Sequence, residues 1–341
     1  MAPSRQYGVV TAIQANYYWV KLGDAPPILC TRRSRLKKIG QTVWVGDQVG
    51  LDSEDDVPVI AEVLPRRSQL SRPPVANADQ ILLVFALREP SPEPWQVSRF
   101  LVKAESAALK VSLCFSKRDL ADEKTLKEWQ TRLDHWGYES LAVSAVTGEG
   151  LDSLQDYLQN KITILAGPSG VGKSSLINAL IPDGAQRVSR VSGKLQRGRH
   201  TTRHVELFQL PGGGLLADTP GFNQPDLDAA PEALIAYFPE VQSQLAQGDC
   251  HFNDCLHRGE PQCRLTTDWE RYPHYLKFLE EALERQSQTS RSLEATLKVK
   301  SGAEGEPQYE PKLATKKYRR LSRRRRRQTL QDQYDGGGEE F

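Results

Sequence analysis

Residues 167–175 read Gly-Pro-Ser-Gly-Val-Gly-Lys-Ser-Ser, after the apolar run KITILA and before the helical pattern SSLINAL. The order of strand, G-x-x-x-x-G-K-S and helix is that of a loop whose backbone N–H groups surround phosphates at a helix N-terminus. In this spacing Lys173 reaches the β- and γ-phosphate oxygens, and the Ser174 hydroxyl binds Mg²⁺. The segment predicts a nucleoside triphosphate site formed by Gly167, Pro168, Ser169, Gly170, Val171, Gly172, Lys173, Ser174 and Ser175.

Two segments downstream can complete the phosphate side of this site. Asp218 opens the sequence DTPG after the apolar run GLLA, and it fits an acidic residue that contacts Mg²⁺ through water. The N–H group of Gly221, at the end of DTPG, would contact the γ-phosphate. Between the phosphate loop and DTPG, the segment GRHTTRH at 198–204 offers Thr201 or Thr202 as a switch threonine, and Thr202 is preferred as the Mg²⁺ ligand.

The base of the nucleotide is predicted from two other strand ends. In LCFSKRDL at 113–120, the Asp119 carboxylate can accept both N–H groups on one edge of guanine, with the Lys117 stem along the ring. A charged triplet at a strand end is, by itself, more often a solvated loop. VSAVTGEGL at 143–151 supplies a second strand end at which backbone groups could meet the base carbonyl. Together they predict a GTP site that includes Ser116, Lys117, Arg118, Asp119, Ser144 and Ala145.

Three cysteines and a histidine form a separate cluster with the spacing C-x4-C-x-H-x5-C. Three thiolates and one imidazole are a complete tetrahedral set for Zn²⁺ with no open position, which indicates a structural ion rather than a catalytic one. A chance grouping of these residues is the alternative. We therefore predict one structural zinc per chain, bound by Cys250, Cys255, His257 and Cys263.

The surrounding elements divide the chain into four predicted domains. Short alternating apolar runs in residues 1–70 predict an OB-like β-barrel without helices, with an SH3-like barrel as the alternative. Strands alternating with helical patterns predict an α/β nucleotide domain at 71–227. Helical runs around the Cys/His cluster predict a helical zinc-binding domain at 228–295, and the polar remainder, 296–341, predicts a disordered basic tail.

The barrel segment also carries candidate nucleic-acid contacts. The basic run RRSRLKK occupies positions 32–38, and Tyr17, Tyr18 and Trp19 are consecutive aromatics. Strand alternation places Tyr18 on the face opposite the other two, so at least one face should be barrel core. A structural role for these aromatics and an RNA-stacking role remain alternatives.

Composition and charge narrow the class of protein and its partners. The 341 residues are 26% charged and 38% hydrophobic, the balance of a soluble globular protein. The longest apolar run, ILLVFAL, is too short to span a membrane, and the N-terminus lacks a signal-peptide core. We therefore expect a cytoplasmic monomer without a membrane partner. Residues 311–327 hold three Lys, seven Arg and no acid, which favours a polyanionic partner over a merely solvated end.

The order SKRD, SA, phosphate loop, threonine switch and DTPG is that of circularly permuted GTPases. With the barrel and the Cys/His cluster, the chain resembles the ribosome-small-subunit-dependent GTPase A family (RsgA, also called YjeQ) over about residues 5–290. The permutation is physically harmless, because the pocket is built from strand carboxyl ends that need only lie side by side. The resemblance implies a GTPase that binds the small ribosomal subunit and its rRNA in late assembly, with hydrolysis to GDP and phosphate stimulated by the subunit. An RNA-binding scaffold with a passive nucleotide site is the alternative.

Two departures from common GTPase patterns bear on affinity and rate. The family usually has Asn at the position of Ser116, so the amide that ties this loop to the phosphate loop is replaced by a shorter hydroxyl and affinity should be lower. Phe222 follows DTPG where many GTPases have Gln, so unassisted hydrolysis should be slow. His200 is the candidate water-orienting residue, with an RNA-facing or solvated histidine as the alternative. The candidate catalytic residues are His200, Thr202 and Lys173.

Overall fold

The structure is a computed structural model that describes residues 5–52, 57–71, 73–181, 205–218, 226–301 and 307–311. The chain divides into two compact units, residues 1–282 and residues 283–341. The strands are β1 (Gln6–Gln14), β2 (Tyr17–Lys21), β3 (Ile28–Arg32), β4 (Gln48–Asp52), β5 (Val59–Val63), β6 (Gln69–Ser71), β7 (Pro74–Ala76), β8 (Gln80–Ala86), β9 (Lys110–Ser116), β10 (Ser140–Ala142), β11 (Ile162–Ala166), β12 (Glu206–Gln209), β13 (Leu215–Asp218), β14 (Leu297–Ser301) and β15 (Pro307–Pro311). The α-helices are α1 (Ser34–Lys38), α2 (Pro94–Glu105), α3 (Glu123–His135), α4 (Leu151–Leu158), α5 (Lys173–Leu180), α6 (Gln242–Leu245) and α7 (Tyr272–Thr296). Among the described residues, no helix has the length and apolar character of a membrane span.

The first five strands form the predicted β-barrel. They are ordered β1-β2-β3-β5-β4, and an antiparallel β1–β4 pair closes the ring. β3 and β5 are parallel, whereas the other neighbours in the ring are antiparallel. This is a five-stranded closed barrel of the OB-like type. Its interior is fully buried at Val10, Val20, Cys30, Val49 and Ile60.

The aromatic residues of β2 alternate between the two faces of the barrel wall. Tyr18 is 5% exposed and belongs to the core, while Tyr17 is 51% and Trp19 is 38% exposed. The predicted alternation is confirmed. Two exposed rings therefore lie on the outer surface of the barrel, where they are accessible to a partner.

The predicted absence of helix from the barrel segment is wrong. The basic run between β3 and β4 forms α1, which buries Leu36 against the barrel core. Sequence periodicity does not reveal this helix, because it has one buried apolar residue in five and the helix is held by tertiary packing. Arg35, Lys37 and Lys38 remain exposed on its outer side.

The middle of the chain forms the predicted α/β unit. Strands β10-β9-β8-β11-β13 are parallel, and β12 is antiparallel to β13. Every residue of β8 is buried, as expected for a central parallel strand covered on both faces. Ile81, Leu83 and Phe85 pack in the core that contains α2 and α3 residues, whereas Leu82 and Val84 pack in the core that contains α4 and α5 residues.

The barrel and the α/β sheet are continuous. β1 pairs with β12 at Ala12 and Glu206, so the barrel strands extend the sheet. A second junction places Gly46 against Ala76, whose carbonyl oxygen would lie 2.0 Å from a Cβ built at Gly46. The buried Asp47 carboxylate accepts two hydrogen bonds from Arg66, at 2.7 and 2.9 Å. The barrel is therefore joined to the α/β sheet by main-chain pairing at β1 and β12, and to the β6–β7 pair and the segment before it by the contacts of Gly46 and Asp47.

The segment that follows the sheet packs against α2 and α3. The predicted helix near 233–238 is a 3-10 helix at Pro231–Tyr237, followed by α6 and α7. Arg271 is fully buried and donates two hydrogen bonds of 2.6 Å to Glu240. Glu270 accepts from Arg132 and from the indole N–H of Trp136, at 2.8 and 2.9 Å. The bonds of Glu270 hold the start of α7 against α3, and the Arg271–Glu240 pair joins it to the segment that follows the sheet.

The second unit contains an exception to the predicted lack of order after residue 296. β14 and β15 form an antiparallel pair, with Val299 opposite Tyr309. Residues 312–327, which carry the basic run, lie outside the described residues.

Candidate nucleotide site and metal cluster

The phosphate loop, residues 167–173, connects β11 to α5 as predicted. Gly167 has φ 139° and a Cβ there would lie 2.1 Å from the Val84 carbonyl oxygen, so only glycine fits this position. Gly172 has φ 92° at the residue before α5. Its left-handed backbone turns the chain into the helix, whose N-terminal N–H groups are available to an anion.

The charged groups of Lys173 and Asp218 interact beside the phosphate loop. The Lys173 ammonium donates to the carbonyl oxygens of Gly167 and Pro168, at 2.7 and 2.6 Å. Burial lowers the pKa of Lys173, and the negative charge of Asp218 acts in the opposite direction. Asp218 ends β13, whose register places it beside Leu165 of β11. A lysine and a carboxylate therefore meet at the carboxyl ends of two adjacent parallel strands.

The predicted Mg²⁺ ligands are only partly within the described structure. Ser174 and Ser175 are exposed at the start of α5, so the Ser174 hydroxyl is accessible to a bound ion. Hydroxyl and carboxylate oxygens are the ligand types that Mg²⁺ prefers, and Ser174 with Asp218 fits that preference. His200, Thr202 and Gly221 lie outside the described residues.

The base loop, residues 116–120, contacts the phosphate loop directly. The buried Ser116 hydroxyl donates to the Val171 carbonyl oxygen at 2.5 Å, across 55 residues of sequence. Lys117 has a left-handed backbone with φ 55°, and its ammonium donates to the carbonyl oxygen of Glu89. The shorter hydroxyl at position 116 therefore still bonds to the phosphate loop, which the sequence did not predict.

The second base loop, residues 144–149, holds the carboxylate of the first. The Ser144 hydroxyl donates to Asp119 Oδ1 at 2.5 Å and accepts from the backbone N–H groups of Val146 and Thr147, at 3.3 and 3.1 Å. Sequence reasoning assigned only backbone groups of Ser144 and Ala145 to the base. The side-chain role of Ser144 was missed: a serine in a turn is a signal of local bonds to backbone N–H groups, but its bond to Asp119, 25 residues away, depends on the fold.

Arg118, in the first base loop, extends its side chain to the second one. Its guanidinium donates to the Ala121 carbonyl oxygen at 2.7 Å and to the Glu123 carboxylate at 2.5 Å. It also lies 3.7 Å from the Glu149 carboxylate, and its side chain is 16% exposed. The guanidinium thus contacts both the segment that follows Asp119 and the second base loop.

The four predicted metal ligands come together. Cys250, Cys255, His257 and Cys263 place their ligand atoms within 4.8 Å of one another. His257 Nδ1 lies 3.7 Å from Cys250 Sγ, 3.8 Å from Cys255 Sγ and 3.3 Å from Cys263 Sγ. The cluster could hold a metal ion, and a set of three sulfurs and one imidazole nitrogen fits a tetrahedral cation of the zinc type.

Neighbouring groups hold the loops that carry the four candidate metal ligands. The Glu260 carboxylate accepts backbone N–H groups of Leu256 and Arg258, at 3.3 and 2.5 Å, and closes the loop that carries His257. The Arg264 N–H group lies 3.5 Å from Cys250 Sγ, and the Tyr275 hydroxyl donates to the Leu256 carbonyl oxygen at 2.5 Å. Sequence spacing does not identify these supporting contacts, because they come from residues that are not metal ligands.

Comparisons with known proteins match this geometry. A family model described as RsgA GTPase matches residues 63–228. A Synechocystis sp. protein named small ribosomal subunit biogenesis GTPase RsgA is 54% identical, over 97% of this chain and 96% of its own length. A Microcystis aeruginosa protein with the same name is 55% identical over 98% of both.

Solved structures agree with the sequence relatives. The crystal structure of YjeQ from Thermotoga maritima has a TM-score of 0.69 and 32% identity, and the match covers 82% of this chain and 99% of that one. The crystal structure of YloQ, described as a circularly permuted GTPase, has a TM-score of 0.67 and 32% identity over 82% of this chain and 96% of its own. The resemblance predicted from the motif order is confirmed, and the chain belongs to the RsgA GTPase family.

Proposed function

We propose that this chain hydrolyses GTP to GDP and phosphate, and that it acts on the small ribosomal subunit in late assembly with the subunit stimulating hydrolysis. One observation carries the GTP site: Ser116 of the base loop bonds to Val171 of the phosphate loop. Base recognition and phosphate binding are thereby joined in one pocket. The ribosomal partner rests on the names of the relatives, which include the small ribosomal subunit.

The phosphate side acts through Lys173 and the backbone of its loop. Lys173 bonds to two loop carbonyl oxygens, and phosphate oxygens would replace these partners when nucleotide binds. The helix N-terminus adds N–H donors without further reorganisation. Ser174, Asp218 and Thr202 would hold Mg²⁺, which neutralises negative charge that develops on the phosphates.

The base side selects guanine through Asp119. Ser144 donates to one carboxylate oxygen, which keeps the carboxylate oriented and leaves acceptor capacity for the two N–H groups of the base. The backbone of Ala145 would contact the base carbonyl, and the Lys117 stem would cover the ring. The full predicted GTP site is Ser116, Lys117, Arg118, Asp119, Ser144, Ala145, residues 167–175, Asp218 and Gly221.

Hydrolysis requires a group that orients the attacking water. His200 is proposed for this role because Phe222 replaces the usual Gln and His200 stands beside the threonine switch in the sequence. Thr202 and Gly221 would report the presence of the γ-phosphate. A slow intrinsic rate that the subunit accelerates fits this set of residues.

The Cys/His cluster is proposed to bind one structural Zn²⁺. Four protein ligands leave no open position for a substrate water, so the ion would stabilise the fold rather than take part in hydrolysis. The metal-binding loop has few apolar residues to hold it together, which makes a cross-linking ion the main source of its order.

The RNA contacts are proposed to come from three regions. The exposed rings of Tyr17 and Trp19 and the exposed cations of α1 lie on the barrel, which suits base stacking and phosphate contact. The metal-binding region and the basic tail at 296–341 would add further contacts. We propose a monomer with domains at 1–70, 71–227, 228–295 and 296–341, and a cytoplasmic location that fits a ribosomal partner.

The test is GTP turnover by the full chain with and without purified small ribosomal subunits. We expect slow turnover alone, a rise with subunits, and no comparable turnover of ATP. Lys173→Ala is the control, because it removes the phosphate-binding ammonium and should abolish the stimulated rate. RNA binding without any GTP turnover would instead support a scaffold with a passive nucleotide site.

A further inference from the structure

The two base loops need to be held at a fixed separation if they are to read one base. Asp119 accepts from Ser144, so the carboxylate position depends on where the second base loop lies. Backbone bonds fix one edge of this arrangement, since the Arg118 N–H group donates to the Val143 carbonyl oxygen at 3.1 Å. A rigid site requires a second tie between the two loops.

We propose that Arg118 is that tie: within the predicted GTP site it positions Asp119 for guanine selection, and it does not itself contact the nucleotide. This inference rests on the proposed GTP site. The Arg118 guanidinium donates to the Ala121 carbonyl oxygen and to the carboxylate of Glu123, the first residue of α3. It also forms an ion pair with Glu149, the last residue of the second base loop. One side chain therefore connects the first base loop, α3 and the second base loop.

The planar guanidinium suits this role. It presents several N–H donors in a fixed geometry, so it can bind a carbonyl oxygen and two carboxylates at once. With 16% of its side chain exposed, Arg118 is packed between the loops and is not extended into solvent. Glu123 and Glu149 are 59% and 57% exposed, so solvent screens the charge attraction to both. The contact with Glu123 is a hydrogen bond, whereas the contact with Glu149 at 3.7 Å is an ion pair, so Arg118 is held mainly by Ala121 and Glu123 and reaches the second base loop through its charge.

A positioning role has a specific consequence for base selectivity. GDP offers Asp119 two N–H groups, from N1 and from the exocyclic 2-amino group, whereas IDP lacks the 2-amino group. A correctly oriented carboxylate gains from the second donor, and a displaced carboxylate does not. Loss of the tie should therefore reduce the preference for GDP over IDP, beyond any general loss of affinity.

The experiment measures dissociation constants of GDP and IDP for the wild-type chain and for Arg118→Ala, by titration calorimetry. We expect wild-type protein to prefer GDP, and Arg118→Ala to weaken GDP binding by about 10-fold while weakening IDP binding by no more than about 3-fold, within the range of one lost hydrogen-bonding group. Glu149→Gln should shift the GDP/IDP ratio in the same direction by a smaller factor. Arg118→Lys should recover only part of the ratio, because an ammonium cannot bind three partners in the same geometry.

Arg132→Ala is the matched control, since Arg132 lies on α3 and is ion-paired with Glu270 rather than with a base-loop residue. It should leave both dissociation constants unchanged. An Arg118→Ala variant with an unchanged GDP/IDP ratio, whether or not overall affinity falls, would overturn the positioning role. If Arg118→Ala does not fold, an unchanged ratio in Glu149→Gln overturns the role in its place. A wild-type chain without preference for GDP over IDP and ADP would overturn the proposed GTP site itself.

Discussion

Replacing Ser116 by alanine removes the hydroxyl that bonds the base loop to the phosphate loop. The side chain is 5% exposed and its hydroxyl donates to the Val171 carbonyl oxygen at 2.5 Å. A buried hydrogen bond of this kind contributes about 0.5–1.5 kcal/mol net. If the two loops hold the nucleotide jointly, nucleotide affinity should fall by about this free energy, which corresponds to about 2- to 12-fold in Kd.

The assay is the dissociation constant and the dissociation rate of a fluorescent GDP analogue in the presence of Mg²⁺. We expect Ser116→Ala to raise Kd about 5-fold, mainly through faster dissociation, because a loosened pocket opens more often. Ser112→Ala is the matched control on the same strand, since the Ser112 hydroxyl bonds to Tyr157 and not to the nucleotide loops. It should lower the free energy of unfolding without changing Kd.

Two results would refute the reasoning about Ser116. Equal Kd values for wild type and Ser116→Ala would mean that the bond to Val171 does not support nucleotide binding. An equal rise in Kd for Ser112→Ala would mean that the effect comes from general loss of stability in β9. The sequence-based prediction that affinity is lower than with Asn at position 116 is tested by Ser116→Asn, which should bind GDP more tightly only if the larger amide fits this buried position.

Three further predictions concern the base, the metal and the partner. The Asp119→Asn variant should lose its preference for GTP and gain affinity for xanthine nucleotides, because the amide can donate to the additional carbonyl of xanthine. Competition binding with XDP and GDP measures this change, and an unchanged preference for GDP would contradict it. Treatment of the purified protein with a chelator should release one zinc per chain and expose the segment around 250–263 to proteolysis, while nucleotide binding persists. Purified protein that contains no metal and has normal stability would argue against the zinc assignment. At fixed salt, the affinity for the small subunit should be about 5- to 150-fold higher with a non-hydrolysable GTP analogue than with GDP, which is the usual range for two coupled binding sites. Equal affinities would exclude coupling between the nucleotide and the subunit.

The phosphate loop and the metal cluster were predictable because their signals are local. Strand, loop and helix follow one another directly around Lys173. The left-handed backbone at position 172 favours glycine, and the sequence has glycine there. The four candidate metal ligands lie within a stretch of 14 residues, from Cys250 to Cys263, so their spacing alone keeps them within reach of one ion. The alternating exposure of Tyr17, Tyr18 and Trp19 likewise follows from strand geometry.

The contacts that join these segments were decided by the tertiary structure. Ser116 bonds to Val171 because β9, β8 and β11 are neighbours in one parallel sheet and their carboxyl ends meet at one edge. The barrel meets the α/β sheet where Ala12 pairs with Glu206, and α1 packs Leu36 into the barrel core. Both contacts depend on partners that are distant in the chain. Local propensity carries no information about such partners, because strand order and register are set by the packing of the whole core. The sequence therefore determined which residues could bind phosphate, guanine and metal, and the sheet decided which of them meet.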